Sequence, residues 1–203
     1  MVIAIEGMDG VGKTTISKYI SEKYKIRYVE KPIKYIFGKD TKEISNEMNA
    51  ILSNFYDCDD PILKTWFFGL GNLLAIKNHE NEDIVIDRHF LSNFTWNSNE
   101  KCYPIYDLLV NYIGIPDLTI YLYADEAARI ERLKCRDESD PDLADINTEL
   151  NKVKDNLQFM KKYNMPYVFI DTTDMSVEKV ENRIDVVLAE KLNKKIYKKS
   201  IQE

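Results

Sequence analysis

Residues 7–14 read GMDGVGKT, and this spacing of glycines, lysine and threonine suits one task, the holding of a nucleoside triphosphate by its phosphates. Gly7, Gly10 and Gly12 let the backbone curl, so that the amides of Gly7, Met8, Asp9, Gly10, Val11, Gly12, Lys13, Thr14 and Thr15 can turn toward phosphate oxygens. Lys13 can reach the β- and γ-phosphates, and the Thr14 hydroxyl can ligate Mg²⁺. A plain glycine-rich turn calls for no lysine and threonine together. A second group, Asp87-Arg88-His89, closes an apolar run. Asp87 there can hold magnesium or its water, which makes Thr14 and Asp87 the candidate metal ligands. Arg88 can clamp a phosphate through two hydrogen bonds. A third group, Arg129, Arg132 and Arg136, falls at i, i+3 and i+7, so one helix face carries all three. A cationic face that closes over triphosphate serves phosphoryl transfer.

These groups need a scaffold. Five short apolar runs read as strands: 2–6, 27–30, 84–87, 118–123 and 167–171. Three are near-continuous in Val, Ile, Leu or Tyr, as in strands covered on both faces. Helical patterns separate them, at 13–24, 103–112, 125–136, 146–163 and from about 176. The span 42–79 reads as two helices broken near Asp59-Asp60-Pro61. Alternation of strand and helix predicts a three-layer α/β fold, a five-stranded parallel sheet flanked by helices. Strand C-termini of such sheets hold the ligand, which places Asp87-Arg88 opposite the phosphate loop. Residues 136–145 (RDESDPDLAD) are acidic and read as a mobile loop, and 194–203 as a polar tail that frays.

The 203 residues are expected to form one domain. A formal net charge of -6 disfavours duplex nucleic acid as a partner. Three scattered cysteines argue against a disulfide framework or a zinc site and for a reducing cytoplasm. No signal peptide or membrane-length apolar run is read. A GTP switch is disfavoured as well. Outside the phosphate loop no glycine has Asp three positions before it, and NKVKD at 151–155 misses base-reading spacing by one.

The chain resembles the thymidylate kinase family of P-loop nucleoside monophosphate kinases. IAIEGMDGVGKTT, DRHFLSNFTW, PDLTIYLYADEAARIERLKCR and VFIDTT carry the resemblance along the whole chain. It implies a single kinase domain over 1–203 with a lid near 129–145. It also implies ATP and Mg²⁺ as cofactors, a small nucleotide acceptor and dTMP as the expected substrate. Asp9 would meet the acceptor 3′-hydroxyl and Arg88 its phosphate. Trp96 would lie against the sugar, with Ser92 supporting that motif. Phe68 would stack on the base. Lys31 or Lys34 would supply the basic group that the family brings to the acceptor phosphate. Thr172 falls on the adenine-side loop. Gly10 stands where some members have a loop Arg, so the catalytic charge is expected from Arg132 and Arg136, with Lys134 behind them and Arg129 also near ATP.

Three departures mark this chain. Asn72 stands where the family carries a base-bonding Arg, and Thr95 replaces a usual Ala. The stretch SDPDLAD lacks the family's Arg–acidic pattern. Asn72 leaves the acceptor base open, since an amide both donates and accepts. A deoxynucleoside kinase, which needs a carboxylate base to deprotonate a hydroxyl, and a non-catalytic nucleotide-binding protein are the alternatives. The apolar helix around 55–71 suits a homodimer.

Overall fold

A computed structural model describes residues 1–38, 45–140, 142–143 and 149–199. Its strands are β1 (Val2–Gly7), β2 (Arg27–Val29), β3 (Ile84–Asp87), β4 (Leu118–Tyr123) and β5 (Tyr167–Asp171). Its helices are α1 (Lys13–Tyr24), α2 (Asn46–Tyr56), α3 (Pro61–Asn78), α4 (Phe90–Asn97), α5 (Tyr103–Ile113), α6 (Glu126–Arg136), α7 (Glu149–Lys162) and α8 (Val177–Lys199). Short 3₁₀ turns occupy Pro32–Phe37 and Glu100–Cys102.

All strand pairs are parallel and the order is β2-β3-β1-β4-β5. The chain steps one way from β1 to β2, then returns and continues on the other side of β1. That reversal opens a crevice at the strand C-termini, where open sheets of this kind bind ligands. The register Ile5↔Asp87 sets the end of β3 beside the start of the phosphate loop.

Alternation within β1 explains the layers. Ile3 and Ile5 face one side and pack with Ile16, Ile20 and Ile184 of α1 and α8. Ala4 faces the other side, with Ile84, Ile86 and Ala75 of α3. A third cluster joins α4, α5 and α7 through Phe90, Tyr106 and Phe159. Helix α3 runs close over the Pro32 turn, because a side chain at Gly71 would come within 2.9 Å of the Pro32 carbonyl oxygen.

Ser45, Asp60 and Asp125 cap α2, α3 and α6 with their own side chains, accepting backbone N–H groups of the first turn. Helices α1, α4 and α5 receive no cap from their own N-cap residues, Gly12, His89 and Cys102. The first two follow β1 and β3, whose C-terminal ends border the crevice.

The five expected strands are present with boundaries within a residue, and 42–79 does hold two helices. Helix α4 has no counterpart among the expected elements, since its residues read in the sequence as motif alone. Residues 194–199, expected to fray, continue α8 as helix, and 200–203 lie outside the described residues. So do 146–148 of the helix expected over 146–163, and Pro141, Ala144 and Asp145 of the expected lid. Among the described residues no helix is long and apolar enough to cross a membrane.

Candidate active site

The loop after β1 is fixed by packing beneath and open above. Met8 and Val11 are buried in the core and anchor it, while Asp9 and Gly10 are half-buried and Thr14 and Thr15 exposed. Gly7 has φ 136°, and a side chain there would sit 2.1 Å from the Leu122 carbonyl oxygen of β4. Gly12 has φ 93° and leads into α1, whose first amides lack a side-chain cap and are available to an anion.

Lys13 is buried and its Nζ donates to the Met8 carbonyl at 2.6 Å, with Asp9 Oδ1 at 3.4 Å. Burial, then the nearby Arg88, lower its pKa to about 8, against the pull of Asp9 and Asp87. Asp9 Oδ1 also accepts from Arg88 Nη2 in a tight ion pair. Burial works against the Asp9 charge, but Lys13, Arg88 and then Lys31 outweigh it and hold the carboxyl well below the usual carboxylate range.

Thr14 Oγ1 donates to Asp87 Oδ2 at 2.5 Å. Asp87 is buried, and its other oxygen has no hydrogen-bond partner among the described residues. A hydroxyl and a carboxylate with a spare oxygen are hard donors, so these residues fit Mg²⁺.

Ser92 turns toward β1. Its hydroxyl donates to Glu6 Oε2 at 2.5 Å, and Glu6 Oε1 accepts from the backbone amides of His89 at 2.7 Å and Ser92 at 3.2 Å. Sequence reading passed over Glu6 as the end of an apolar strand; a carboxylate in that position is the signal that could have marked it. Burial pushes the Glu6 pKa up, while Ser92, the two amides and Arg88 pull it back. Trp96 is half-buried, with Lys152 Nζ 3.7 Å from its ring centroid. Its neighbour Thr95 faces α7 instead: its hydroxyl donates to Leu91 O and to Asn156 Oδ1, and Asn156 in turn donates to Tyr121. The Thr95 departure is therefore accounted for by helix packing.

On the acceptor side Phe68 lies on α3, its ring 5.5 Å from that of Tyr56 on α2. Tyr56, also unmarked in the sequence, lies within electrostatic reach of Arg88 and Asp9. Asn72, one turn beyond Phe68, is buried, and its Oδ1 has no partner among the described residues. Lys31 is exposed and acts on Asp9, whereas Lys34 is ion-paired to Glu30.

The three arginines of α6 do not present the single cationic face their spacing predicts. Arg129 is buried beneath the phosphate loop, with Nε donating to the Asp9 carbonyl at 2.5 Å. Arg132 donates to Thr172 Oγ1, Thr172 O and Thr173 O in the loop after β5. Arg136 pairs with Asp140 and Asp142. For Arg129 and Arg132 the reason is desolvation: α6 packs onto two loops, and a guanidinium removed from water must find oxygen acceptors, whereas Arg136 stays exposed. Thr172 is itself buried and donates to Tyr123 O.

A curled phosphate loop on a parallel sheet, facing an Asp-Arg strand end across the β1–β3 crevice, places the chain among the P-loop nucleotide kinases. Residues 5–184 match the thymidylate kinase family, and the chain belongs to that family, a group of nucleoside monophosphate kinases. It is 30% identical to a probable thymidylate kinase of Methanocaldococcus jannaschii, covering 91% of this chain and 93% of that one. A cytidylate kinase of Methanococcus vannielii is 24% identical, covering 88% and 90%. Among solved structures, deoxyadenosine kinase from M. mycoides with bound dATP superposes with a TM-score of 0.66 at 23% identity, covering 93% of this chain and 100% of that one. Thymidylate kinase from Candida albicans does so with 0.63 at 16%, covering 95% and 92%. At these identities both structures speak for the fold alone.

Proposed function

We propose that the protein transfers the γ-phosphoryl group of ATP to a deoxynucleoside monophosphate, converting dTMP to dTDP. One observation carries this reading. The Asp9 carboxylate lies between Lys13 and Arg88, so the donor-side lysine and the acceptor-side arginine meet at a single anion. A site that only bound ATP has no use for a second cation at the far side of its loop. The relatives named thymidylate kinase support the thymine base.

The attacking group is a phosphate oxygen of the acceptor, whose second pKa is about 6, so no strong general base is needed. Catalysis is alignment and charge neutralisation. Thr14 and Asp87 would hold Mg²⁺, which would supply positive charge to the triphosphate. Loop amides and Lys13 grip the triphosphate. Arg88 and Lys31 take the acceptor phosphate, and Asp9 takes the 3′-hydroxyl. Trp96 flanks the sugar, supported by Ser92. Phe68 stacks on the base and Asn72 reads it through its unpartnered oxygen. Arg132, fastened at Thr172, serves the nucleoside end of ATP. Arg136 brings lid charge to the transferred group once it leaves Asp140 and Asp142.

The exposed apolar residues of α3, Ile62, Leu63, Trp66 and Leu70, support a homodimer. The three free cysteines support a reducing compartment such as the cytoplasm.

The deciding experiment is ADP release with dTMP, dCMP, dAMP, their ribonucleotide counterparts and thymidine in parallel. Turnover highest with dTMP is expected. Turnover with thymidine and none with monophosphates would overturn the reading.

A further inference from the structure

Arg88 is held in a conformation that its sequence neighbours do not explain. Its φ is 77°, in the left-handed region that side chains other than glycine avoid. Lys25 and Asn164 share a positive φ, but each follows the end of a helix, where such a residue is the common termination. Arg88 instead leads from a strand into a helix. Strain of this kind persists only where the surroundings over-determine it.

The surroundings are two consecutive residues of β1. Arg88 N donates to Ile5 O at 3.0 Å. His89 N donates to Glu6 Oε1 at 2.7 Å. The amides on both sides of the Arg88 α-carbon are thus fastened to the same strand, one by backbone and one by side chain. Glu6 also takes the Ser92 amide and hydroxyl, which makes it the cap of α4 that His89 does not provide. The next residue of β1 is Gly7, the first of the phosphate loop.

We propose that Glu6 is the positioning residue for Arg88, fixing the turn that aims the guanidinium at the acceptor phosphate and tying that aim to the strand from which the phosphate loop departs. This rests on the reading of Arg88 as the acceptor-phosphate ligand. Reach, not charge, is what the role requires. The Glu6 oxygens must span from β1 to two amides and a hydroxyl. A glutamine keeps that reach, with one oxygen for the amides and an amide group that the Ser92 hydroxyl can accept from. An aspartate keeps the charge and falls short.

Steady-state ADP release tests this with dTMP and ATP varied separately. For Glu6→Asp the KM for dTMP is expected to rise roughly tenfold or more while the KM for ATP stays within about twofold, as befits the loss of buried hydrogen bonds on one side of the site. Glu6→Gln is expected within about threefold of wild type for both substrates. A dTMP KM in Glu6→Asp within about twofold of wild type would overturn the proposal. So would Glu6→Gln as impaired as Glu6→Asp, which would make charge the agent, or a parallel rise of both KM values, the mark of general loosening. Arg88→Ala separates the two readings. If it leaves the dTMP KM unchanged, the role of Arg88 itself fails. If it raises that KM and Glu6→Asp does not, only the role of Glu6 fails.

Discussion

The two halves of the crevice are built differently. The donor half is backbone: a contiguous loop with buried anchors, glycines in positive φ and a lysine held by a carbonyl. The acceptor half is side chains gathered from distant stretches, Lys31, Tyr56, Phe68, Asn72, Arg88 and Trp96, several of them partly exposed. A backbone cradle recognises what all nucleoside triphosphates share. A set of side chains can be exchanged one at a time, so substrate choice resides there.

The sharpest way to break this contrast is Lys13→Ala. It should lower kcat by on the order of a thousandfold, with the fold intact by circular dichroism; near-normal turnover would remove the lysine from the mechanism. Asp9→Ala comes next, since Asp9 joins the halves. It should cost roughly ten- to a hundredfold with 3′-hydroxy acceptors and clearly less with 3′-deoxy analogues. Equal losses would take Asp9 away from the sugar. The pH profile of kcat/KM for ATP tests the donor half alone. Lys13 must be protonated to meet phosphate, so its lowered pKa places a falling alkaline limb near about pH 8 in the free enzyme. Lys13→Arg should move that limb well upward, and a profile flat to pH 9.5 would contradict the placement. Smallest is the pair of neighbours on α4. Trp96→Ala should relax deoxy-over-ribo preference roughly tenfold. Thr95→Val should leave that preference alone and cost about 1–2 kcal/mol of stability in urea denaturation, through the Asn156 oxygen it orphans.

The same contrast explains what was legible in the sequence. The phosphate loop could be read because one short stretch contains the whole device and its flanking strand and helix. The sheet could be read because three of its strands are apolar enough to need cover on both faces. Glu6 escaped because its partners, His89 and Ser92, are more than 80 residues away, and a strand pattern does not show which carboxylate faces a helix end. Periodicity puts the three arginines of α6 on one helix face. Periodicity is silent on what that face meets, and the loops it meets take two of the three guanidiniums. Thr95 reads in the sequence as a bare departure from a usual Ala, because only the position of α7 reveals its partner.

The pairing of charges within the crevice has a consequence for how nucleotides arrive. Lys13 and Arg88 sit against Asp9, Lys34 against Glu30, and Arg136 against Asp140 and Asp142. Four cations thus meet four carboxylates, and beyond a Debye length of about 8 Å their charges cancel as a group, on a chain that already carries a net charge of -6. These four cations therefore add little attractive field to the solution around the cleft. Those four cations act on a nucleotide only at contact, when its phosphate displaces carboxylate, and the longer-range field that an anionic nucleotide meets is set by the net negative charge of the chain.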